Sequence, residues 1–333
     1  MPELRRDPIV GRWVVIDSEH LKGPADFPKE DNTPKDQAIC PFCPGREHQT
    51  PEEVDAIRPL PGPANTPGWL VRTVPNKFPV LTSVGALQKE GIGIYDQMDG
   101  VGAHEVLIEC PHHDKTLTDL TLEETKAVVS QYQSRARQLS QDSRFKYVVI
   151  FKNFGSSAGA TVEHTHSQII ALPMVPKTVL EELKGAEYYH QYRGRCIFCD
   201  MIVQEYQDKE RIVTENAGFL AFCPFAPRYA FETWIIPKAH SADFSVMDEA
   251  TQTHLAQILQ DVLQRMKKVL GNPSYNYYLH MSPIGYANPA CYHWHIEIIP
   301  KLTRSVGFEW GSGLHIVPTF PQDAARFLQN SSL

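Results

Sequence analysis

The sequence predicts an α+β fold built from two similar halves, each an antiparallel sheet flanked by helices. Three observations support this fold class. The chain has 333 residues, which is long for one hydrophobic core. A series of motifs occurs twice in the same order, and each series contains an amphipathic helix followed by a β-rich run. We therefore divide the chain into an N-terminal domain, residues 1–178, and a C-terminal domain, residues 179–333.

The repeated order of motifs indicates a duplication. Each series runs from a Cys-x-x-Cys pair through a histidine just past a proline, a helix and a strand to a His-x-His pair. The residues of the first half are Cys40, Cys43, His113, His164 and His166, and those of the second are Cys196, Cys199, His240, His293 and His295. Chance accounts for one such coincidence more easily than for a whole series in matching order.

Local signals place the helix and the strand of each half. Thr121 and Glu124 form a capping box before an apolar stripe, and the second helix begins at Asp248. The runs Tyr147–Phe151 and Tyr275–Met281 follow the two helices. They are rich in β-branched or aromatic residues, which predicts strands.

The composition excludes several classes of function. The formal net charge is −7, so the chain lacks the basic excess typical of nucleic-acid-binding proteins. The sequence contains no run of about 18 apolar residues, so we expect no membrane span. The opening MPELRRDPIVGRW lacks the apolar core of a signal peptide. Seven cysteines, an odd number, are a poor disulfide framework in a chain without an export signal. We expect a cytoplasmic protein whose partners are neither nucleic acids nor membranes.

The two Cys-x-x-Cys pairs predict two structural zinc sites. Each pair presents two thiolates from one knuckle, and tetrahedral zinc needs two further ligands. In the first half we assign His164 with either His112 or His113, and in the second His240 with His293. Redox pairs and plain core cysteines are the alternatives, although neither knuckle has the βαβ context of a thioredoxin-like motif. The histidines are too distant in sequence for a DNA-binding zinc finger.

The stretch NFGSSAGATVEHTHSQ, residues 153–168, predicts an anion-binding loop that leads into a catalytic strand. Gly155 and Gly159 let backbone N–H groups approach an anion, and the serine and threonine hydroxyls add donors. A glycine-rich loop alone is a weak signal. Its specificity comes from the His-x-His-x-Gln sequence that follows.

In a strand, His164, His166 and Gln168 alternate and so share one face. If zinc anchors His164, its carbonyl can hold the proton on one ring nitrogen of His166 and leave the other nitrogen free to attack phosphorus. Gln168 would donate its amide to a phosphoryl oxygen. Because an amide neither activates water nor protonates a leaving group, transfer to another phosphate is favoured over hydrolysis. A packed strand histidine is the alternative interpretation of His166.

The second half has Glu297 where the first half has Gln168, and it lacks a comparable Ser/Thr-rich loop. A carboxylate that faces a phosphoryl group repels it. We therefore expect one catalytic half and one structural half.

These motifs resemble the galactose-1-phosphate uridylyltransferase family, a branch of the histidine-triad superfamily. The resemblance runs nearly end to end, through RRDPIVGRWVVI, VPNKFPVL, PHHDKTL, the stretch 152–168, PKAH and HWHIEIIP. It implies two tandem histidine-triad-like halves and a ping-pong reaction. A nucleotide sugar such as UDP-glucose would lose its hexose 1-phosphate to His166, and a second hexose 1-phosphate would take the nucleotide. Members are commonly dimers, so a homodimer is expected.

The resemblance also implies particular contacts. It selects His113 over His112 as the ligand that joins Cys40, Cys43 and His164. The positions that it assigns to the nucleotide, its phosphates or the sugar hydroxyls are Asn76, Asn153, Gly159, Thr161, Gln168, Phe308 and Glu309.

The chain departs from the family in two segments. His20 and Gly23 stand where many members have an Arg-x-x-Arg-Pro, which leaves Lys22 for any phosphate contact there. The C-terminal stretch VGFEWGSGLHIVPTFPQDAARFL and the second Cys-x-x-Cys pair look closer to the ADP-glucose phosphorylase-like subgroup. Phosphorolysis of ADP-glucose or a dinucleoside polyphosphate is therefore the alternative function. A non-catalytic zinc-bridged binding module and a histidine-triad hydrolase are two further alternatives.

Overall fold

The computed structural model describes residues 1–34 and 40–331. The strands within these ranges are β1 (Glu3–Arg6), β2 (Trp13–Ile16), β3 (Asp55–Ile57), β4 (Val71–Pro75), β5 (Lys89–Ile92), β6 (Tyr95–Met98), β7 (Ala103–Ile108), β8 (Tyr147–Phe154), β9 (His166–Leu172), β10 (Ile212–Glu215), β11 (Phe219–Phe222), β12 (Thr233–Pro237), β13 (Tyr275–His280), β14 (His295–Pro300) and β15 (His315–Val317). The α-helices are α1 (Leu122–Leu139), α2 (Lys177–Arg193), α3 (Ile197–Asp208), α4 (Glu249–Leu270), α5 (Gly307–Ser312) and α6 (Pro321–Gln329).

One large antiparallel sheet organises the molecule. Within the described ranges it has ten strands in the order β10-β11-β12-β14-β13-β8-β9-β7-β4-β3. The order is symmetric about its centre, since β8, β9, β7, β4 and β3 on one side match β13, β14, β12, β11 and β10 on the other. This arrangement confirms the predicted α+β class with antiparallel sheet and flanking helices. The domain boundary between residues 178 and 179 falls within α2 and stays a prediction.

The two halves of the sheet meet where β8 pairs with β13. At this junction Asn153 lies directly opposite Asn276. Side chains alternate between the two faces of a strand; along β8, Ile150 and Lys152 are buried, whereas Phe151 and Asn153 are half-buried. The sheet therefore has one covered face and one more open face.

Helices α1 and α4 pack against each other on the covered face. Both begin at the predicted residues: the Thr121 side chain accepts a hydrogen bond from the Glu124 backbone, and Asp248 accepts one from Thr251. Each cap satisfies an N–H group that has no partner within its helix. From α1, the buried Tyr132 reaches the sheet through its hydroxyl group.

Strands β8 and β13 confirm the predicted strands after the two helices, with β8 extending three residues further, to Phe154. The His-x-His pairs differ from the prediction in one respect. Strand β9 begins at His166 and β14 at His295, so His164 and His293 lie just before their strands. The reason is a contact distant in sequence, because His164 turns its ring toward the first cysteine knuckle, where its Nδ1 is 3.6 Å from Cys43 Sγ.

Two smaller sheets accompany the central one in residues 1–34 and 40–331. Strands β1, β2 and β15 form a three-stranded sheet, and β5 and β6 form a separate hairpin. Among the helices in the described part of the chain, none combines the length and the apolar character that a membrane span requires.

Candidate active site

His166 opens β9 on the open face of the sheet, and its side chain is held in one orientation. Its Nδ1 is 2.8 Å from the carbonyl oxygen of His164, so Nδ1–H donates to that oxygen and Nε2 keeps its lone pair. Burial, reinforced by the charge of Lys152, lowers the pKa of His166 below its usual value. The imidazole is therefore neutral near pH 7 and carries one nitrogen able to act as a nucleophile.

A cavity of about 220 Å³ lies beside the His166 ring. Gly155 and Gly159 shape its loop with φ angles of +81° and +88°, which glycine adopts at little cost. A Cβ atom on Gly155 would lie 2.1 Å from the hydroxyl oxygen of Ser274, so a side chain does not fit there. The predicted residues that line the cavity are Asn153, Gly155, Thr161, His164 and His166. The structure thus places His166 next to a space of the size that a phosphoryl group needs.

Gln168 lies two residues further along β9, on the same face as His166. Its Oε1 is 2.7 Å from Nε2 of His104, a half-buried contact between β9 and β7. The backbone N–H of Val80 donates to the other nitrogen of His104 at 3.2 Å, which leaves the proton of that ring on Nε2. The side-chain oxygen of Gln168 therefore accepts a hydrogen bond from Nε2–H of His104, and the NH2 group of Gln168 points away from that ring. The side-chain nitrogen of Asn76 also lies 3.0 Å from this Nε2, but the two do not form a hydrogen bond, because both nitrogens carry protons.

A buried ion pair supports the strand from the covered face. Lys152, 1% exposed, places its ammonium 2.5 Å from Glu109 and 3.0 Å from the carbonyl oxygen of His166. Glu109 also accepts hydrogen bonds from the hydroxyl groups of Thr165 and Ser167. Burial raises the pKa of Glu109, but the Lys152 charge and these bonds outweigh it, so that its pKa lies below the usual value. The pair is ionised and ties the backbone around His166 to β8.

Sequence reasoning missed His104, Glu109 and Lys152. A signal existed for Lys152, which is a single charge in the otherwise apolar and polar-neutral strand YVVIFKNF. A charge at a position that alternation assigns to the core needs a buried counter-charge. No comparable signal marks His104, because its role depends on the pairing of β7 with β9.

The first Cys-x-x-Cys pair meets two histidines in a cluster suited to a metal ion. Cys40, Cys43, His113 and His164 bring their ligand atoms within 4.8 Å of one another. Cys43 Sγ is 3.4 Å from Nδ1 of His113, close to the separation of about 3.3–3.8 Å that tetrahedral zinc imposes on its ligands. His164 donates from Nε2 to the carbonyl of Cys110 at 2.8 Å, so its Nδ1 is available to a metal.

The second pair builds a similar cluster from Cys196, Cys199, His240 and His293, again with all ligand atoms within 4.8 Å. Cys199 Sγ is 3.4 Å from Nδ1 of His240 and 3.7 Å from Nδ1 of His293. His240, the counterpart of His113, donates from Nε2 to the carbonyl of Pro289 at 3.0 Å, so its Nδ1 is available to a metal. All seven cysteines are free thiols.

The counterpart of His166 in the second half is enclosed. His295 is 0% exposed, and its ring stacks on Trp234 and on His280, with centroids 4.7 Å and 4.9 Å away. Glu297, which takes the place of Gln168, forms an ion pair with Arg228. Aromatic rings and an internal ion pair therefore enclose His295.

Phe308 and Glu309 lie in α5, in the C-terminal part of the chain. Glu309 accepts a hydrogen bond from the backbone of Val306 at 2.7 Å, and Phe308 is half exposed. Both residues lie in the part of the chain that the structure describes, and neither lines the cavity beside His166 in the same chain.

Comparison with known proteins matches this architecture to one family over nearly the whole chain. The model for the galactose-1-phosphate uridyl transferase N-terminal domain matches residues 1–176, and the model for its C-terminal domain matches residues 182–324. ADP-glucose phosphorylase from Arabidopsis thaliana is 37% identical, with 100% of this chain and 93% of that protein covered. Galactose-1-phosphate uridylyltransferase from Thermotoga maritima is 27% identical, with 100% and 99% covered.

Solved structures agree with the sequence matches. The crystal structure of the Arabidopsis thaliana ADP-glucose phosphorylase with bound ADP-glucose superposes with a TM-score of 0.84 at 34% identity, covering 100% of this chain and 99% of that one. A uridylyltransferase structure reaches a TM-score of 0.76 at 27% identity, covering 99% and 97%. The predicted enzyme class is confirmed, because these relatives are nucleotidyltransferases. The chain belongs to the galactose-1-phosphate uridyl transferase family.

Proposed function

We propose that this enzyme transfers a nucleoside monophosphate from a nucleotide sugar to a phosphate acceptor through a covalent adduct on His166. The observation that carries the proposal is the hydrogen bond between Nδ1 of His166 and the carbonyl oxygen of His164, at 2.8 Å, in a ring that borders an anion-sized cavity. This bond leaves Nε2 unprotonated, in a ring that lines the cavity where phosphorus would lie.

The reaction balances with these groups alone. Nε2 attacks the α-phosphorus of the nucleotide sugar, a P–N bond forms, and the bond to the β-phosphate oxygen breaks. The hexose 1-phosphate leaves as a phosphate ester, which needs no proton. An oxygen of the acceptor phosphate then attacks the same phosphorus and returns the lone pair to Nε2, while Nδ1 keeps its proton throughout.

The surrounding residues supply donors rather than acid–base groups. We assign to Gln168 and Asn153 the stabilisation of the phosphoryl oxygens, through their side-chain NH2 groups. Gly155, Gly159 and Thr161 present the loop that holds the anion, and Asn76 contacts the nucleotide beside Gln168. Pre-positioned donors of this kind lower the barrier because they need no reorganisation during the reaction.

For the substrates, we propose ADP-glucose as donor and inorganic phosphate as acceptor. The support is the 37% identity to an ADP-glucose phosphorylase against 27% to a uridylyltransferase, each over the full chain. Uridylyl transfer from UDP-glucose to a hexose 1-phosphate is the second candidate, favoured by the family models that match both halves.

We propose zinc for both Cys2His2 clusters. Four thiolate and imidazole ligands closed around the ion leave no open coordination position, so the role is structural. Bound at the first cluster, zinc would hold the His164 backbone that orients His166. The remaining chemistry belongs to the chain's own residues.

We further propose a cytoplasmic homodimer. Free thiols at all seven cysteines suit a reducing compartment. Large apolar side chains remain exposed on α5 and near the β5–β6 hairpin, including Trp310 at 81% and Phe78 at 80%. Because Phe308 and Glu309 do not line the cavity of their own chain, we assign their contact with the hexose to the active site of the partner subunit.

The experiment is covalent labelling. Purified enzyme is incubated with ADP-glucose or UDP-glucose that carries a radiolabel in the α-phosphate, and acid-labile label on protein is counted. We expect stoichiometric adenylylation, release of glucose 1-phosphate, and removal of the label by inorganic phosphate. His166→Asn should take up none. Labelling that persists in His166→Asn contradicts the covalent mechanism. If UDP-glucose labels the enzyme and ADP-glucose does not, the donor is UDP-glucose and not the one that we propose.

A further inference from the structure

One side chain of the second half, that of Asn276, donates a hydrogen bond to the glycine-rich loop beside His166. Asn276, in β13, donates from Nδ2 to Oδ1 of Asn153 at 2.8 Å and to the carbonyl oxygen of Ala158 at 2.9 Å. The two asparagines are directly opposite each other at the junction of the halves. No other part of the proposed reaction uses Asn276.

The Ala158 contact fixes the orientation of both amides. A backbone carbonyl oxygen only accepts hydrogen bonds, so the atom of Asn276 that faces it must be the NH2 nitrogen. The same nitrogen faces Asn153, and the facing atom of Asn153 must therefore be its oxygen. The NH2 group of Asn153 is then turned away from Asn276, toward the loop, where it lies 3.7 Å from the space a Cβ atom on Gly159 would occupy.

Asn153 also lines two cavities. It lines the cavity of about 220 Å³ beside His166 and a second cavity of about 590 Å³ that extends over β8 and β13. A hexose 1-phosphate that leaves the α-phosphorus beside His166 and moves toward the larger cavity passes this residue. An NH2 group that points toward the loop at this junction is suited to donate to that phosphate, whereas the amide oxygen in the same place would repel it.

We infer that Asn276 is a positioning residue for the transfer reaction: it holds the Asn153 amide with its NH2 group toward the phosphoryl oxygens. The inference rests on the proposed function. It assigns the structural half a direct part in the chemistry of the catalytic half, across the β8–β13 junction.

The test is a double-mutant cycle on the rate of acid-labile labelling, measured in single turnover at saturating nucleotide sugar. Asn276→Asp keeps the shape of the side chain but has no NH2 group. Its carboxylate accepts the NH2 of Asn153, so the Asn153 amide reverses and presents oxygen to the substrate. We expect the labelling rate to fall about 10- to 100-fold.

The second arm separates positioning from general damage. In an Asn153→Ala background no amide remains to be oriented, so adding Asn276→Asp should lower the rate by less than about twofold. Asn276→Ser, which keeps one hydroxyl donor, should lose less activity than Asn276→Asp. The matched control is Asn216→Asp, because Asn216 also donates to a backbone carbonyl, that of His254 at 2.7 Å, in a turn beside α4; its labelling rate should stay unchanged.

Each result decides the question. Unimpaired labelling in Asn276→Asp, or losses that multiply in the double mutant, overturn the positioning role while the proposed function stands. Absence of any label on the wild-type enzyme overturns both. Thermal unfolding of every variant shows whether the fold is intact, and if Asn276→Asp unfolds, the comparison of Asn276→Ser with and without Asn153→Ala gives the same cycle.

Discussion

The ammonium of Lys152 lies 3.0 Å from the carbonyl oxygen of His166, so the backbone of the proposed nucleophile is held by a charge that is buried on the opposite face of the sheet. The same ammonium pairs with Glu109, which is 0% exposed. His166 is thus fixed from both sides, through its ring by His164 and through its carbonyl by Lys152. Rigidity of this kind keeps a reacting atom within the narrow range of positions that transfer requires.

Lys152→Met should destabilise the protein severely, because it leaves the Glu109 carboxylate buried without a cation. Removing one partner of a buried ion pair costs about 3–5 kcal/mol of unfolding free energy. Urea denaturation followed by fluorescence measures the change. The control is Lys126→Met, since Lys126 pairs with the exposed Glu249 at the surface and its loss should not shift the midpoint. Equal midpoints for the two variants would contradict an ionised pair.

Gln168→Glu should nearly abolish covalent labelling while leaving the fold intact. The carboxylate cannot donate to a phosphoryl oxygen and repels it instead, as Glu297 would in the second half. Loss of one pre-positioned donor lowers the rate about 100- to 1000-fold. Rapid-quench labelling gives the rate, and Gln204→Glu on the exposed side of α3 serves as the control. A fall of less than about fivefold would show that Gln168 does not face the reacting phosphate.

The pH dependence of labelling should reflect the lowered pKa of His166. Only the neutral ring attacks, and a histidine in solution becomes protonated below about pH 6.5. Because burial and the Lys152 charge lower the pKa, the ring stays neutral as the pH falls through that value, and activity is lost only at lower pH. The acid limb of kcat/KM reports this pKa for the free enzyme. An acid limb at or above pH 6.5 would mean that the ring is not desolvated.

Substitutions should remove the zinc of one Cys2His2 cluster without removing the zinc of the other. Elemental analysis is expected to find about two zinc ions per chain, with one lost in Cys40→Ser and the other in Cys196→Ser. Labelling should fall strongly only in Cys40→Ser, because only the first cluster contains His164, whose carbonyl orients His166. Cys223→Ser, at a buried thiol outside both clusters, should keep both ions. Zinc content unchanged in either cluster variant would exclude that cysteine as a ligand.

Much of this site was predictable because it follows local rules. The capping residues Thr121 and Asp248 indicated the helix starts, and the duplicated motifs indicated two similar halves, although not that their strands join in one sheet. The His-x-His-x-Gln spacing placed His166 and Gln168 on one face without reference to the rest of the fold. His104 and Asn276 were not predictable, since each acts across a strand pairing whose register appears only in three dimensions. The start of β9 at His166 rather than His164 also depended on a distant partner, the cysteine knuckle.

The difference between the halves gives a last prediction. Restoring the glutamine with Glu297→Gln, in a protein that also carries His166→Asn, should not create labelling at His295. The ring of His295 is stacked between Trp234 and His280 and is 0% exposed. A glutamine at position 297 therefore does not open a cavity for an anion beside this ring. The substitution also leaves Arg228 without one of its carboxylate partners, and the melting temperature should drop. Mass spectrometry of the labelled protein identifies any adduct, and a nucleotide on His295 would show that a single side chain, rather than the shape of the site, separates the catalytic half from the structural one.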